Sequence, residues 1–341
     1  MRELLKRLCS LPGVASWEDR VRDCVMEVAG QYATELRVDA MGNVIAFKEG
    51  AKATGSKLLL TAHMDEVGLM VRSITDEGYL KFDTVGHIDR RVLLGKRVLV
   101  GPRLLPAVVG LKAYHLVSRD EEKNVPKLDE YYLDIGARSK EEAQKLVRLG
   151  DVAAFDSDPE VFGGGLLKGR ALDSRIGCAV LLWLMREQLP MDCTFVFTAQ
   201  QEVGARGAFG AAFSVKPEIA LVLEGAPAAD LAGVPAHKKA CALGKGAVLP
   251  FMDKGVIVDR GLFEALRDLA EQGNIPWQLR EDTTGSGDAM AVQRAASGVR
   301  TAVIAAPVRY PHTPATLASA DDIEAVLQLT RAFINHLSKE D

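Results

Sequence analysis

Apolar residues are spaced in two different patterns along this chain, and the change of pattern separates a central stretch from the sequence on either side of it. On either side of a central stretch, continuous apolar runs alternate with segments of helical character. KLLLT (57–61) is such a run, of the kind that forms a strand buried on both faces of a sheet. The pattern predicts helices over 174–187, 261–272 and 288–296, and strands over 34–39, 43–48, 193–199, 218–224, 276–280 and 301–306. Strands that alternate with helices predict a mainly parallel sheet between two helical layers.

Two short motifs mark predicted helix starts. The spacing S-x-x-D, typical of a capping box, occurs at 16–19 and again at 319–322. The first motif precedes an amphipathic helix that we expect to end near Tyr32. The second precedes the last helix, which we expect to end near Leu337.

The central stretch has a different pattern. Between residues 73 and 163, short alternating segments are separated by glycines, prolines and charged turns, and only 139–150 has helical character. We therefore predict a discontinuous α/β domain formed by 1–72 and 164–341, with a small β-rich domain, 73–163, inserted in it.

Composition narrows the class of protein. The chain has 341 residues, of which 48% are hydrophobic and 26% charged, with a net charge of −4. This is enough apolar material for a large core, and it excludes a disordered chain. Because there is no basic excess, neither a nucleic acid nor a membrane is expected as a partner.

The compartment is predicted from the first residues and the cysteines. The first residues carry charges throughout, unlike a signal peptide, and no apolar run approaches the length of a membrane span. The five cysteines are widely spread, without a C-x-x-C pair, and are expected to be buried thiols. We expect a cytoplasmic protein.

Residues suited to metal binding follow several predicted strands. The sites of open α/β sheets lie at the carboxyl ends of strands. The residues found there, or just ahead of the helix at 174–187, are His63, Asp173, Glu202, Glu224 and His312. Each alone is an ordinary turn or cap residue, but together they form a histidine and carboxylate set without cysteine. Such a set suits Zn²⁺, Co²⁺ or Mn²⁺, and one shared carboxylate makes a two-metal centre.

The other four histidines, His87, His115, His237 and His336, stand in no ligand-like pattern. His87 and His115 fall in the predicted insertion, where surface positions are expected.

Six motifs together resemble one known family. AHMDEVGLMV, GRALDSRIG, FTAQQEVGARGA, LVLEG, GSGDA and VRYPHTP occur in this order along nearly the whole chain. They resemble metallopeptidase family 42, the tetrahedral aminopeptidases, which include glutamyl aminopeptidases and some proteins once labelled endoglucanases. The carbohydrase label is disfavoured, because glycosidases use a carboxylate pair without metal.

The resemblance implies a role for each candidate residue. His63 and His312 correspond to the terminal histidine ligands of two divalent ions, and Asp173 to the carboxylate that bridges them. Glu202 corresponds to a metal-binding acid, and Glu224 to another that is commonly Asp in the family. Asp65, two residues after His63, corresponds to the carboxylate that supports this histidine. At this spacing its carboxylate can accept a hydrogen bond from the second ring N–H of His63.

The resemblance also implies a reaction and an assembly. Metal-activated water would remove N-terminal residues from peptides. The inserted β-rich domain would be a dimerisation domain, and twelve-subunit particles are common in the family. The fold implied is a three-layer αβα metallopeptidase domain with a barrel-like insertion.

Three positions depart from the family pattern. The family usually has Q-E-E-V-G, whose first Glu is the general base, and here that position is Gln201. A carboxamide does not titrate as a base at neutral pH. Ser174 follows Asp173 where a second Asp is typical, and Asp288 lies in GSGDA, where the family more often has Gly-Thr-Asp. We expect Asp288 to order its loop rather than bind metal.

Three explanations of Gln201 remain open at this stage. Another base, such as Glu66, or the metal-activated water alone replaces the missing group. Alternatively, the protein is a weak or inert homologue that binds peptide or metal without efficient turnover. Finally, the glutamine is a substitution introduced to trap a substrate.

Overall fold

The strands of the molecule form two separate units, a large open sheet and a small closed barrel. The structure is a computed structural model that describes residues 1–340. Its helices are α1 (Arg2–Ser10), α2 (Asp19–Ala29), α3 (Lys140–Leu146), α4 (Leu172–Leu184), α5 (Arg206–Val215), α6 (Arg260–Gln272), α7 (Asp288–Gln293) and α8 (Ala320–Glu340). Within residues 1–340, none of the helices has an apolar stretch long enough to span a bilayer.

The strands divide between the two bodies. Those of the sheet are β1 (Glu35–Val38), β2 (Val44–Lys48), β3 (Leu58–His63), β10 (Glu160–Phe162), β11 (Leu166–Gly169), β12 (Cys193–Thr198), β13 (Ile219–Pro227), β14 (Ala247–Leu249), β15 (Trp277–Leu279), β16 (Arg300–Arg309) and β17 (Thr316–Ser319). Those of the barrel are β4 (Gly68–Ile74), β5 (Leu80–Val85), β6 (Arg97–Val100), β7 (Leu105–Gly110), β8 (Tyr132–Asp134) and β9 (Val152–Phe155).

Along its main order the sheet is parallel only at its centre. The order is β1-β2-β12-β3-β13-β16-β17-β11-β10, and β12, β3, β13 and β16 run parallel to one another. The outer pairs are antiparallel. The expected mainly parallel sheet is therefore found in the four strands that carry the candidate residues, while short hairpin-like connections add antiparallel strands outside them.

Both faces of the sheet are covered, because the side chains of β3 alternate between two cores. Leu58 and Leu60 belong to the core shared with α1, α4 and α8, whereas Leu59 belongs to a smaller core shared with α5 and α7. This explains why the strand has the continuous apolar run seen in the sequence, and it confirms the three-layer α/β fold.

The barrel is inserted between β3 and α4 and has its own core. Its closed order is β4-β5-β8-β7-β6-β9, and residues such as Val71, Phe82 and Leu133 fill it. Closure leaves no free strand edge. The barrel strands run from Gly68 to Phe155, whereas the sequence pattern changes at 73 and 163.

Neither predicted capping box is formed as expected. Helix α2 begins at Asp19 with Glu18 as its N-cap, and Ser16 lies outside it at φ +76°. Glu18 instead accepts hydrogen bonds from the main-chain N–H groups of Ser16 and Gln200. The two carboxylate oxygens of Asp322 accept from the N–H groups of Gly244 and Gly246. At the second motif a distant loop thus takes the side chain that local spacing assigned to the helix.

Other differences concern short or weakly patterned elements. Helix α4 includes a kink with non-helical backbone at Asp173 and Ser174, so its regular part follows the predicted start at 174, and α7 ends at Gln293 rather than 296. The pattern analysis missed α1, α5 and β17. Helix α5 (RGAFGAAFSV) is rich in small residues and has little polar periodicity, so its sequence lacks the usual helical signature.

The cysteines generate a prediction. All five are free and buried, and burial raises the pKa of Cys9, Cys178, Cys193 and Cys241 to about 12. Because the thiolate is the reactive form, we expect no rapid reaction with Ellman's reagent at pH 8 in the native protein. In guanidinium chloride all five thiols should react. A thiol that reacts rapidly in the native state would contradict this prediction.

Candidate metal centre

The parallel centre of the sheet brings the candidate residues to one edge. His63 is the last residue of β3, Glu202 follows β12, Glu224 lies in β13, and His312 follows β16. Asp173, Glu202, Glu224 and His312 line one cavity of about 150 Å³. Strand β13 continues to Pro227, so Glu224 projects from within the strand rather than from its end.

His63 is buried between two carboxylates. Its Nδ1 lies 3.1 Å from the main-chain oxygen of Asp65, and its Nε2 lies 3.4 Å from Oδ1 of Asp173. Burial by itself lowers the pKa of His63, but the hydrogen bonds to Asp173 and Asp65 raise it well above its ordinary value. With Nδ1 held by the main chain, Nε2 faces the carboxylates of the cavity, which is the usual orientation of a metal-binding histidine.

Asp65 connects the end of β3 to the segment after β12. Its Oδ1 and Oδ2 accept hydrogen bonds from the N–H groups of Gln201 and Glu202, each at 2.9 Å. The ring of His63 is therefore closer to the main-chain oxygen of Asp65 than to its carboxylate, which lies 3.6 Å away. The carboxylate fixes the backbone that carries Glu202.

Asp173 is held from the side of β13. Its Oδ1 accepts a hydrogen bond of 2.6 Å from the N–H of Gly225, and a Cβ at position 225 would lie 2.7 Å from the Asp173 side chain. Only glycine permits this approach. Burial raises the pKa of Asp173, but the hydrogen bond and charge of His63, together with the N–H of Gly225, outweigh burial and lower the net pKa. Next to it, the Ser174 hydroxyl donates to the carbonyl of Leu223.

Glu202 and His312 form the second close pair. Nε2 of His312 lies 3.3 Å from Oε2 of Glu202. Nδ1 of His312 lies 2.7 Å from the main-chain oxygen of His87, so Nδ1 carries the proton and Nε2 is left for the pair. Burial lowers the pKa of His312, which favours the neutral ring that binds metals.

The cavity concentrates negative charge. Burial, reinforced by Asp65 and Asp173, raises the pKa of Glu202 to about 8, and burial with Asp173 and Asp253 does the same for Glu224. Burial is the largest cause of both raised values, and the neighbouring carboxylates add to it. The donor set of two imidazoles and three carboxylates suits divalent ions of the zinc and cobalt type. Among the described residues, no three of these side chains already converge into a complete metal-holding group.

Asp288 lies near these candidate ligands but does not line the cavity. It accepts a hydrogen bond of 2.5 Å from the hydroxyl of Thr198, and burial raises its pKa to about 6. Its Oδ1 is buried and has no hydrogen-bond partner within the described part of the chain. The contact with Thr198 ties the start of α7 to the end of β12, as expected for a loop-ordering residue.

Gln201, where the resemblance led us to expect a general base, lines the cavity. Its Nε2 lies 3.5 Å from the main-chain oxygen of Ser286, so the amide faces the loop before α7. Glu66, the alternative base, already has other partners. It is buried, accepts a hydrogen bond from the N–H of Gly13, and lies 3.8 Å from both Arg170 and Arg175.

Three cavity residues were missed by sequence reasoning. His87 comes from the barrel, and Asp253 and Arg280 follow β14 and β15. Arg280 comes directly after β15, so the expectation that site residues follow strands would have located it. No pattern in the sequence indicates that the turn at His87 crosses from the barrel to the sheet domain.

Comparison with known proteins agrees with this geometry. The family model described as M42 glutamyl aminopeptidase matches residues 42–329. The chain belongs to the M42 glutamyl aminopeptidase family. A putative aminopeptidase of Acetivibrio thermocellus is 38% identical over 96% of this chain and 97% of its own.

Solved structures of the M42 type share the fold. A TET aminopeptidase from a marine sediment thaumarchaeote is 34% identical, with a TM-score of 0.94 over 98% of this chain and 96% of that one. The TET1 peptidase of Pyrococcus horikoshii, described as assembling into a tetrahedron or an octahedral shell, is 33% identical, with a TM-score of 0.85 over 97% and 98%. The family and the fold expected from the motifs are confirmed.

The buried arginines next to the M42 site generate a prediction. Arg175 is fully buried and donates to the carbonyls of Met64, Leu8 and Leu11, besides lying near Glu66. We expect Arg175→Met to lower the free energy of unfolding by about 3–5 kcal/mol, because it leaves buried acceptors and a buried carboxylate without their partner. Denaturant unfolding measures the change.

Arg331→Met is the matched control. Arg331 pairs with Glu187 at the partly exposed surface, where the loss is expected to stay below about 1 kcal/mol. Equal losses for the two variants would show that Arg175 contributes no more than a surface ion pair.

Proposed function

We propose that this chain is a two-metal aminopeptidase that removes N-terminal residues from peptides, with turnover lowered by Gln201. The observation that supports it is the arrangement of His312 and three carboxylates around one cavity, with His63 3.4 Å from one of them, in a chain of the M42 family. Peptides with a free N-terminus are the proposed substrates.

Two ions, Zn²⁺ or Co²⁺ with Mn²⁺ as a further candidate, would be held by this set. His312 and Glu202 would hold one ion, His63 and Glu224 the other, and Asp173 would be shared. When bound, such ions lower the pKa of water and polarise the peptide carbonyl. The close pairs His312–Glu202 and His63–Asp173 support this division.

The chain's own residues position this set. Asp65 holds the backbone of Gln201 and Glu202 through two hydrogen bonds, and its carbonyl orients the ring of His63. Gly225 donates to Asp173 and leaves room for it. These contacts fix three of the proposed ligands before any ion binds, which reduces the cost of assembling the site.

Gln201 is the proposed cause of weak turnover. Its side chain can orient a water molecule through hydrogen bonds, but it does not accept the proton of that water. General base assistance contributes roughly 10²–10⁴-fold to such reactions. Glu66 is a poor replacement, because Gly13, Arg170 and Arg175 already surround it.

The second candidate function is a weak or inert homologue that binds peptide or metal without efficient turnover. The observation that favours it is again Gln201, whose amide is directed at the carbonyl of Ser286.

We also propose that the insertion, 73–163 by sequence, is a dimerisation domain. Its surface exposes Tyr114, Leu116 and Val125, and exposed apolar side chains of this kind favour a protein contact. The TET1 peptidase of Pyrococcus horikoshii, which assembles into a tetrahedron, supports a larger homo-oligomer such as a dodecamer. The cytoplasmic location stays a prediction.

Metal dependence provides the first test of the function. We expect a panel of aminoacyl-p-nitroanilides to be hydrolysed slowly by the protein with added Co²⁺ or Zn²⁺. Chelation should abolish this activity and the metal should restore it, because the ions supply the activated water. Absence of turnover on every substrate, with bound metal shown by elemental analysis, would favour the inert homologue.

Restoring the base provides the second test. We expect Gln201→Glu to raise kcat by roughly 10²–10⁴-fold with little change in KM, because the carboxylate acts on the water rather than on substrate binding. Gln200→Glu is the control, since it adds the same charge one residue away and should not raise kcat. If the unchanged protein is already as fast as Gln201→Glu, Gln201 does not mark a lost base.

A further inference from the structure

A turn of the barrel contacts the proposed metal centre directly. His312 lies in the loop segment 310–316, which runs from the end of β16 to the first residue of β17, and its Nδ1 donates to the main-chain oxygen of His87 at 2.7 Å. His87 follows β5 of the barrel. The proton position of one proposed ligand is therefore set by the inserted domain rather than by the sheet that carries the other ligands.

The same turn packs against the second residue of this pair. Gly86 has a φ of +77°, and a Cβ added there would lie 2.8 Å from the Val67 side chain and 3.2 Å from Cβ of Glu202. A side chain at position 86 would push against Glu202. The turn 86–87 thus contacts both His312 and Glu202, which lie 3.3 Å apart.

A third contact holds the loop from the other end of the barrel. Ser157 follows β9, and its hydroxyl donates to the carbonyl of Pro314. Tyr310 and His312 both have positive φ angles, +55° and +59°. Non-glycine residues keep such conformations only where surrounding contacts impose them. The barrel supplies two of these contacts, at His312 and at Pro314.

We propose that the barrel positions the His312–Glu202 half of the metal centre, so that the affinity for one of two ions depends on the turn 86–87 and on Ser157. The inference rests on the two-metal function proposed above. His63 has its contacts with Asp65 and Asp173, outside this turn, so the second ion should not depend on it. Gly86, His87 and Ser157 are positioning residues that act through His312 and Glu202.

The first test is Gly86→Ala in the full-length protein. Its control is Gly136→Ala, because Gly136 is also in the barrel insertion and has the same φ of +77°, but a Cβ there meets no described atom within 4 Å. Both variants carry the same backbone strain, and only the first pushes on Glu202. Titration of metal-free protein with Co²⁺, followed by calorimetry and by visible absorption, measures each ion separately.

We expect Gly86→Ala to lower the affinity for one of the two Co²⁺ ions by about 10–100-fold and to change the absorption band of that ion, since the contacts that orient its ligands are disturbed. Gly136→Ala should bind both ions as the wild type does. Thermal unfolding of the metal-free variants shows whether the two substitutions lower stability equally.

Ser157→Ala is a milder variant in case Gly86→Ala does not fold. It removes one hydrogen bond to the loop and should lower the affinity for the same ion about two- to tenfold. Ser139→Ala is its control, because Ser139 caps α3 in the barrel and is far in sequence from the loop 310–316. It should change barrel stability without changing Co²⁺ affinity.

The outcomes separate the two proposals. If the wild type binds two ions and both Gly86→Ala and Ser157→Ala bind them equally well, the positioning role is overturned while the two-metal function stands. Equal weakening in Gly136→Ala would also overturn it, because strain alone would then explain the effect. A wild type that binds no Co²⁺ overturns both proposals.

Discussion

Burial of carboxylates at the carboxyl edge of the parallel strands is the constraint on which the rest of this structure depends. Glu66, Asp65, Asp173, Glu202 and Glu224 lie close together in or beneath one cavity. Charge in such surroundings is costly unless it is compensated. Asp65 is compensated by backbone N–H groups and Glu66 by Gly13 with two nearby arginines. Burial raises the pKa of Glu202 and of Glu224 to about 8, although His63 lowers the first and Arg280 lowers the second.

The two arginines also tie separate parts of the chain together. Arg175 donates to carbonyls of α1, of the segment after it and of Met64, while Arg170 donates to the carbonyls of Cys9, Ser10 and Phe155. The N-terminal helix, the end of the barrel and the end of β3 therefore meet at one buried charge cluster. The position of the candidate ligands is in this way connected to the packing of the whole domain.

The inserted barrel has a role at this edge besides its own core. Its turn at 86–87 and Ser157 reach the loop that carries His312, so the two bodies meet at the proposed metal centre. Gln201 lines the cavity at the same edge.

Local patterns in the sequence determined the class of fold, the two-body division and the candidate ligands. Continuous apolar runs identify strands buried on both faces, and His63, Glu202 and Glu224 could be located because parallel strands end at one edge. Only the tertiary structure decided the partners of side chains whose contacts are distant in the chain. Asp322 binds a loop instead of capping its helix, and Asp65 holds Gln201 and Glu202. His87 meets His312 across 225 positions. Such pairings depend on how complete elements pack, and no local spacing records them.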